Sequence, residues 1–259
     1  MSILRFIHIS DTHIGTTPDY ILYGYSPAVE ARRLVDYLNH RLPFEPDFIL
    51  HTGDVTYDPD PVAYELAWEI LRELRYPIYF ARGNHDEPDT MRRVLPNLPQ
   101  GSGRIDYTFA QKGVQFIVLD SFGLVQPRGY LEASQLQWLT QQLEAAAGQP
   151  VVVVVHHLPT MTDNPWLDQH MTIENHDALF AALASHRDHI QGVFFGHIHV
   201  PSTTFRQGIL CSSASAAFSQ FIFPDVYPVD RLDVTAPGGF SLVTITPERT
   251  WISHHELGA

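Results

Sequence analysis

Six short apolar runs constrain this chain more than any other feature: Ile3–Ile9, Phe48–Thr52, Ile78–Ala81, Gln115–Leu119, Val151–Val155 and Gly192–Phe195. Each has the length and the Val, Ile and Phe content of a buried strand. Between them, apolar residues recur at helical spacing. In "SPAVEARRLVDYLNHRL", Pro27 follows Ser26 at the start and Ala31, Leu34, Val35 and Leu38 form one stripe; "AYELAWEILREL", "EASQLQWLTQQLEAAA" and "NHDALFAALASH" repeat the pattern. Strands alternating with helices predict an α/β layered domain. From "RQGILCSSASAAF" to "GGFSLVTITPERTWISHH" the pattern turns strand-rich, so one domain over residues 1–259 is expected, with 200–259 completing the second sheet. The Pro-rich "FPDVYPVDRLDVTAPGG" is expected to be a loop rather than a domain junction.

The residues just beyond these runs are chemically biased. Asp11 and His13 follow the first, Asp54 the second, Asn84, His85 and Asp86 the third, His156 and His157 the fifth, and His197 and His199 the sixth. A single Asp or His after a strand is ordinarily a turn, cap or packing residue. Five strand ends filled with Asp, Asn and His are a different matter. Gly53, Gly83 and Gly196 precede three of them and allow close backbone approach, and the carboxyl ends of strands in an open α/β sheet are where sites assemble. Oxygen and imidazole donors without thiolate suit Mn, Fe, Zn or Co, and one carboxylate can bridge two ions, so the pattern points to a two-metal centre.

Composition narrows the partners. Acidic residues outnumber basic ones by 29 to 16 and no Lys/Arg run occurs, so a nucleic acid polymer is not expected to bind. Cys211 is the only cysteine, which removes disulfide, thiolate-metal and redox-pair chemistry; standing in "GILCSS", it is expected to be an inert small hydrophobe. There is no secretory pattern at the start and no apolar run of membrane-span length, so a cytoplasmic protein is expected, without membrane association. Homo-oligomerisation is compatible with the sequence.

Asp11-Thr12-His13, Gly53-Asp54, Gly83-Asn84-His85-Asp86, a His after the fifth strand, and Gly196-His197-Ile198-His199 resemble, in order and spacing, the five-block signature of the calcineurin-like metallophosphoesterases. "LYGYSPAVEARRLVDYLN", "VAYELAWEILREL" and "SSASAAFSQF" look like the class III cyclic-nucleotide phosphodiesterase and glycerophosphodiesterase branch. The resemblance implies a four-layer α-β-β-α sandwich, two mixed sheets face to face with helices outside. It also implies that Asp11, His13, Asp54 and His199 hold one metal ion, and that Asp54 bridges to a second held by Asn84, His156 and His197. Here the family's proline is displaced, giving His-His-Leu-Pro, so His157 stands as the alternative to His156. By the same resemblance His85 faces the substrate phosphate, and Asp86 is expected to orient His85.

Two divalent or mixed-valent ions would lower the pKa of a shared water to give the attacking hydroxide, while His85 protonates the leaving group. The implied activity is hydrolysis of small phosphodiesters, of cyclic-nucleotide or glycerophosphodiester type. A phosphomonoesterase or nucleotidase on the same fold is the alternative, and a non-catalytic metal-binding scaffold a more distant one. The His-x-His-x-Asp-His cluster of β-lactamase-type zinc hydrolases is absent. His8 and His51 are expected to be packed within strands and His254 and His255 to lie at the surface. His170 and His176 are candidates to line the pocket, Tyr20, Tyr23 and Tyr25 to roof it, and Arg82 to point either toward the site or into the layer beneath.

Overall fold

The computed structural model describes residues 2–222 and 233–258; most of the Pro-rich segment discussed above lies outside them. Strands β1 (Leu4–Ile9), β2 (Phe48–His51) and β3 (Ile78–Phe80) run parallel, and β12 (Gly239–Ile245) and β13 (Thr250–Glu256) extend them antiparallel, giving the order β13-β12-β1-β2-β3. A second sheet has the order β4-β5-β6-β7-β9-β8, built from β4 (Tyr107–Gln111), β5 (Val114–Val118), β6 (Val151–Val154), β7 (Ile190–Phe195), β8 (Ser202–Arg206) and β9 (Ile209–Ser213). A short hairpin pairs β10 (Ser219–Ile222) with β11 (Asp233–Pro237). The described strands within residues 200–259, a segment expected to complete the second sheet, are divided between both large sheets and this hairpin. Two antiparallel hairpins on opposite edges have the same apolar alternation, so pattern alone does not assign them to one sheet.

The sheets meet through aromatic rings. Phe6 of β1 lies 5.7 Å from Phe116 of β5 and 5.3 Å from Phe194 of β7, and Phe48 of β2 lies 5.2 Å from Phe116, all edge-on. Successive residues alternate between two cores, as strand geometry requires. Val152, Val154, Phe116 and Phe194 face the space between the sheets, whereas Val151, Val153, Ile117 and Val193 pack outward beneath helices. Helices α1 (Pro27–His40), α2 (Pro61–Leu71) and α3 (Pro88–Val94) pack with the first sheet; α4 (Ala133–Ala145), α5 (Pro165–His170) and α6 (His176–Leu183) pack with the second. Four of them start alike, with Ser26, Asp60, Glu87 or Asn164 accepting a first-turn N–H and Pro next in sequence. Cys211 is fully buried beside β7 and its thiol is pushed up to about 12 by burial, in keeping with an inert residue. Among the described residues no helix is long and apolar enough to cross a membrane.

The junction between sheets gives a stability prediction. Phe48 is fully buried and stacks on Phe6 at 5.1 Å, with Phe109 and Tyr79 edge-on to it. Phe48→Ala is expected to cost about 3–5 kcal/mol. Urea unfolding should show a lowered midpoint at unchanged slope; a loss near zero would mean that this contact is not the seam of the two sheets.

Candidate metal centre

The carboxyl ends of β1, β2, β3, β6 and β7 are tied to one another by backbone hydrogen bonds. Asp11 N donates to Gly53 O (2.9 Å), His13 N to Asp54 O (3.1 Å) and Gly196 N to His156 O (3.0 Å). The turns that leave these strands are tight: Asp11, His13, Asp54, His197 and His199 have φ of 52, 45, 56, 69 and 57°. Asp and His enter this left-handed region more readily than other non-glycine residues. A Cβ on Gly83 would collide with Oδ1 of Asp54, so only glycine lets the β2 and β3 turns approach this closely.

Among the described residues these side chains form four overlapping groups that could hold a metal ion, and two of them, fully buried, share no residue. In one, His13 Nε2 and His199 Nε2 face each other at 3.0 Å, and Asp11 Oδ1 lies 3.8 and 3.5 Å from them. In the other, His156, His157 and His197 meet. Asp54 stands between, its Oδ2 3.6 Å from His13 Nε2 and 3.3 Å from His156 Nε2 while its Oδ1 accepts His85 N at 2.8 Å. Asn84 Oδ1 is 3.1 Å from His156 Nε2.

Electrostatics favour a cation at the centre. Burial holds His13 and His197 well below the usual imidazole range and His199 at about 3, so their nitrogens keep lone pairs. Burial also lifts the Asp11 carboxyl to about 7, and the neighbouring Asp54 charge adds to this. Burial opposes charge on both His156 and Asp54, but their attraction prevails, raising His156 to about 9 and holding Asp54 well below the carboxylate range. Asp11 Oδ1 is buried with no hydrogen-bond partner beside those neutral imidazoles. Neutral nitrogen and carboxylate oxygen donors left over at one buried point fit a transition-metal ion.

Of the two adjacent histidines, His156 has the geometry of a ligand. Its Nδ1 lies 2.7 Å from the Thr52 carbonyl, which can only accept, so Nδ1 keeps its hydrogen and Nε2, facing Asp54 and Asn84, is the nitrogen bared when the ring gives up its second proton. His157 Nδ1 instead meets Ser121 Oγ at 2.8 Å.

His85 is held by a group that the sequence did not suggest. Its Nδ1 donates to Tyr57 O at 2.7 Å, and the Tyr57 ring stacks on the imidazole with centroids 4.9 Å apart. Asp86, expected to orient His85, makes no such contact. Its oxygens accept Asp54 N (2.8 Å), Gly83 N (3.0 Å), Val55 N (3.1 Å) and the Tyr64 hydroxyl (2.9 Å), so it braces the β2 and β3 turns. Tyr57 follows Asp54 by three residues, and that proximity was the signal available.

These residues open into a cavity of about 180 Å³, one side lined by His13, Asp54, Asn84, His85, His197 and His199. Tyr23, Tyr57, Trp166, Met171 and Phe221 supply an aromatic and apolar wall, with Phe221 stacked 4.0 Å from the His199 ring. Of the three loop tyrosines considered, Tyr23 reaches the cavity; Tyr20 packs on Tyr57. His170 and His176 do not line it. His170 packs on Trp166, and His176 Nδ1 lies 2.7 Å from Arg206. Arg82 does not line this cavity; it donates to Asp86 O, pairs with Asp120 at 3.2 Å, and lines the neighbouring cleft together with Asn84 and His85. His8 and His51 are packed as expected, each 3.0 Å from a threonine hydroxyl, Thr52 and Thr12.

The Asp54–His156 pair makes metal loading pH-dependent. A proton that stays on His156 up to about pH 9 must leave before its Nε2 can ligate, so affinity should rise as pH goes from 7 to 9. Calorimetric titration of Zn²⁺ into metal-free protein at pH 7, repeated in buffers of different ionisation enthalpy, should show about one or more protons released per chain. Release of none would contradict the pairing.

Comparison with known proteins agrees with this geometry. The chain is 28% identical over 253 residues to the 3',5'-cyclic-nucleotide phosphodiesterase alr5338 of Nostoc sp., covering 98% of this chain and 92% of the relative. It is 28% identical to the glycerophosphodiester phosphodiesterase GpdQ of Enterobacter lignolyticus (79% of this chain, 74% of the relative) and 29% identical to the 3',5'-cyclic adenosine monophosphate phosphodiesterase CpdA of Escherichia coli K12 (76% and 70%). A dimetal phosphatase from Danio rerio shares the fold at 16% identity, with a TM-score of 0.70 over 98% of this chain and 96% of that one. Residues 4–201 match the family profile described as calcineurin-like phosphoesterase, and the chain belongs to that family.

Proposed function

We propose that this protein is a metal-dependent phosphodiesterase that hydrolyses small phosphodiesters, with two ions held by Asp11, His13, Asp54, Asn84, His156, His197 and His199. The observation that carries this reading is the position of Asp54 Oδ2, within 3.6 Å of one imidazole from each buried group. Mn, Fe or Zn suits the donor set. Such ions, when bound, polarise phosphoryl oxygens and acidify water. The similar proteins named for cyclic-nucleotide and glycerophosphodiester hydrolysis support small diesters as the substrate class. Cytoplasmic placement is supported by the single, buried, unpaired Cys211.

The chain's own residues divide the remaining work. Because Tyr57 O takes the Nδ1 hydrogen of His85, Nε2 is the nitrogen left to act, and it donates only when the ring is an imidazolium. His85 therefore gives its Nε2 proton to the leaving alkoxide as the P–O bond breaks. The stacked Tyr57 ring restricts the imidazole to one orientation. Tyr23, Trp166, Met171 and Phe221 supply the wall against which the second ester group packs and excludes water.

Charge selects diesters. Among the described residues no Lys or Arg lines the cavity itself, and Arg82, which lines the neighbouring cleft beside His85, is paired with Asp120 and donates to Asp86 O. A monoester dianion would find no guanidinium for its extra charge, whereas a diester carries one charge and offers a second group to the apolar wall. The ratio of kcat/KM for bis(4-nitrophenyl) phosphate to that for 4-nitrophenyl phosphate, at equal metal and salt, should exceed about ten; a preference for the monoester would overturn this reading.

His85→Asn tests the proton donor. It should keep metal content and fold while losing about 10²–10⁴-fold in kcat on alkyl diesters, with a much smaller loss when the leaving group is nitrophenolate. Equal losses on both would exclude proton donation.

A further inference from the structure

Ser121, three residues beyond β5, lies at the one strand end of the central run that brings no candidate ligand, yet it is fully buried against the site. Its Oγ accepts the backbone N–H of His156 at 3.2 Å and of His157 at 3.3 Å, and faces His157 Nδ1 at 2.8 Å. A hydroxyl oxygen has two lone pairs and one hydrogen. Both lone pairs are taken by amides, so the hydrogen goes to His157 Nδ1 and the ring proton of neutral His157 sits on Nε2. That nitrogen is buried without a hydrogen-bond partner. His157 is near enough to the others to ligate, with its ring 4.5 Å from His197 and 5.0 Å from His156. A nitrogen that carries a hydrogen has no lone pair for a metal.

We propose that Ser121 is a positioning residue that selects His156 over His157 as ligand: it anchors both amides of the His-His turn and holds His157 in the Nε2–H tautomer, which cannot bind metal. The inference rests on the two-ion reading above. Thr52 O does the converse for the neutral form of His156, holding the hydrogen on Nδ1 and leaving Nε2 bare. Two adjacent imidazoles are thus set in opposite tautomers by two neighbouring oxygens. Without the Ser121 hydroxyl, His157 can move its proton to Nδ1 and present Nε2 as a competing donor.

The test uses the intact chain loaded with Co²⁺, whose visible absorption reports coordination. Wild type and His157→Asn should each take up two ions per chain with the same spectrum, and His156→Asn should lose one. Ser121→Ala should alter the spectrum, the alteration should vanish in Ser121→Ala/His157→Asn, and Ser121→Thr should retain the wild-type spectrum. In zinc-loaded protein, ¹⁵N shifts of the His157 ring should place the hydrogen on Nε2; this measurement and His157→Asn decide the matter even if Ser121→Ala does not fold. Loss of one ion in His157→Asn, a wild-type spectrum in Ser121→Ala, or a hydrogen on Nδ1 of His157 would overturn the proposal. Wild type that takes up no cobalt would instead overturn the two-ion reading beneath it.

Discussion

The Asp86 carboxylate accepts four close hydrogen bonds, from the amides of Asp54, Gly83 and Val55 and from the Tyr64 hydroxyl, and through them it joins the turn after β2 to the turn after β3. Each of these donors is buried, and each would cost about 1–3 kcal/mol if left unsatisfied. With the Asp54 backbone fixed from below, its two side-chain oxygens divide: one accepts His85 N and the other reaches His13 and His156. Asp86 does not line the cavity that holds His13 and Asp54, and it borders the neighbouring cleft with Asn84 and His85. The site is thus built on a carboxylate whose oxygens are taken up by the turns it braces.

The turns carry a cost. Five of the seven proposed ligands adopt left-handed backbone, a conformation that costs non-glycine residues about 1–3 kcal/mol each. It persists because neighbouring turns determine one another: Asp11 Oδ2 accepts His197 N, Asp11 N donates to Gly53 O, and Ala217 N donates to Ser10 O. The Asp11 carboxylate therefore serves both as a proposed ligand and as scaffold for the backbone of another, His197.

Much of this was legible in the sequence because strand ends and ligand types coincide. The α/β architecture followed from alternating runs, and the residues that meet in the buried groups were all visible as Asp, Asn or His just past an apolar run. What was not legible depends on approach from a distance. The cavity wall comes from Tyr23, Trp166, Met171 and Phe221, ordinary apolar residues far apart along the chain. The brace formed by Asp86 and the Tyr57 carbonyl under His85 are backbone interactions, which side-chain identity does not reveal. Ser121 escaped notice because a serine after a strand is an ordinary turn residue, and only its hydrogen-bond count distinguishes it.

The Asp11–His197 hydrogen bond and the His13–His199 contact each close a loop across 186 positions. During synthesis the first sheet can begin to assemble from β1, β2 and β3, but its metal ligands remain incomplete until β7 and the turn beyond it have left the ribosome. In a nascent chain Asp11, His13 and Asp54 therefore stand without His156, His197 and His199, which they meet in the folded protein. The proposed centre would be completed only when the turn beyond β7 folds onto the turns that leave β1 and β2.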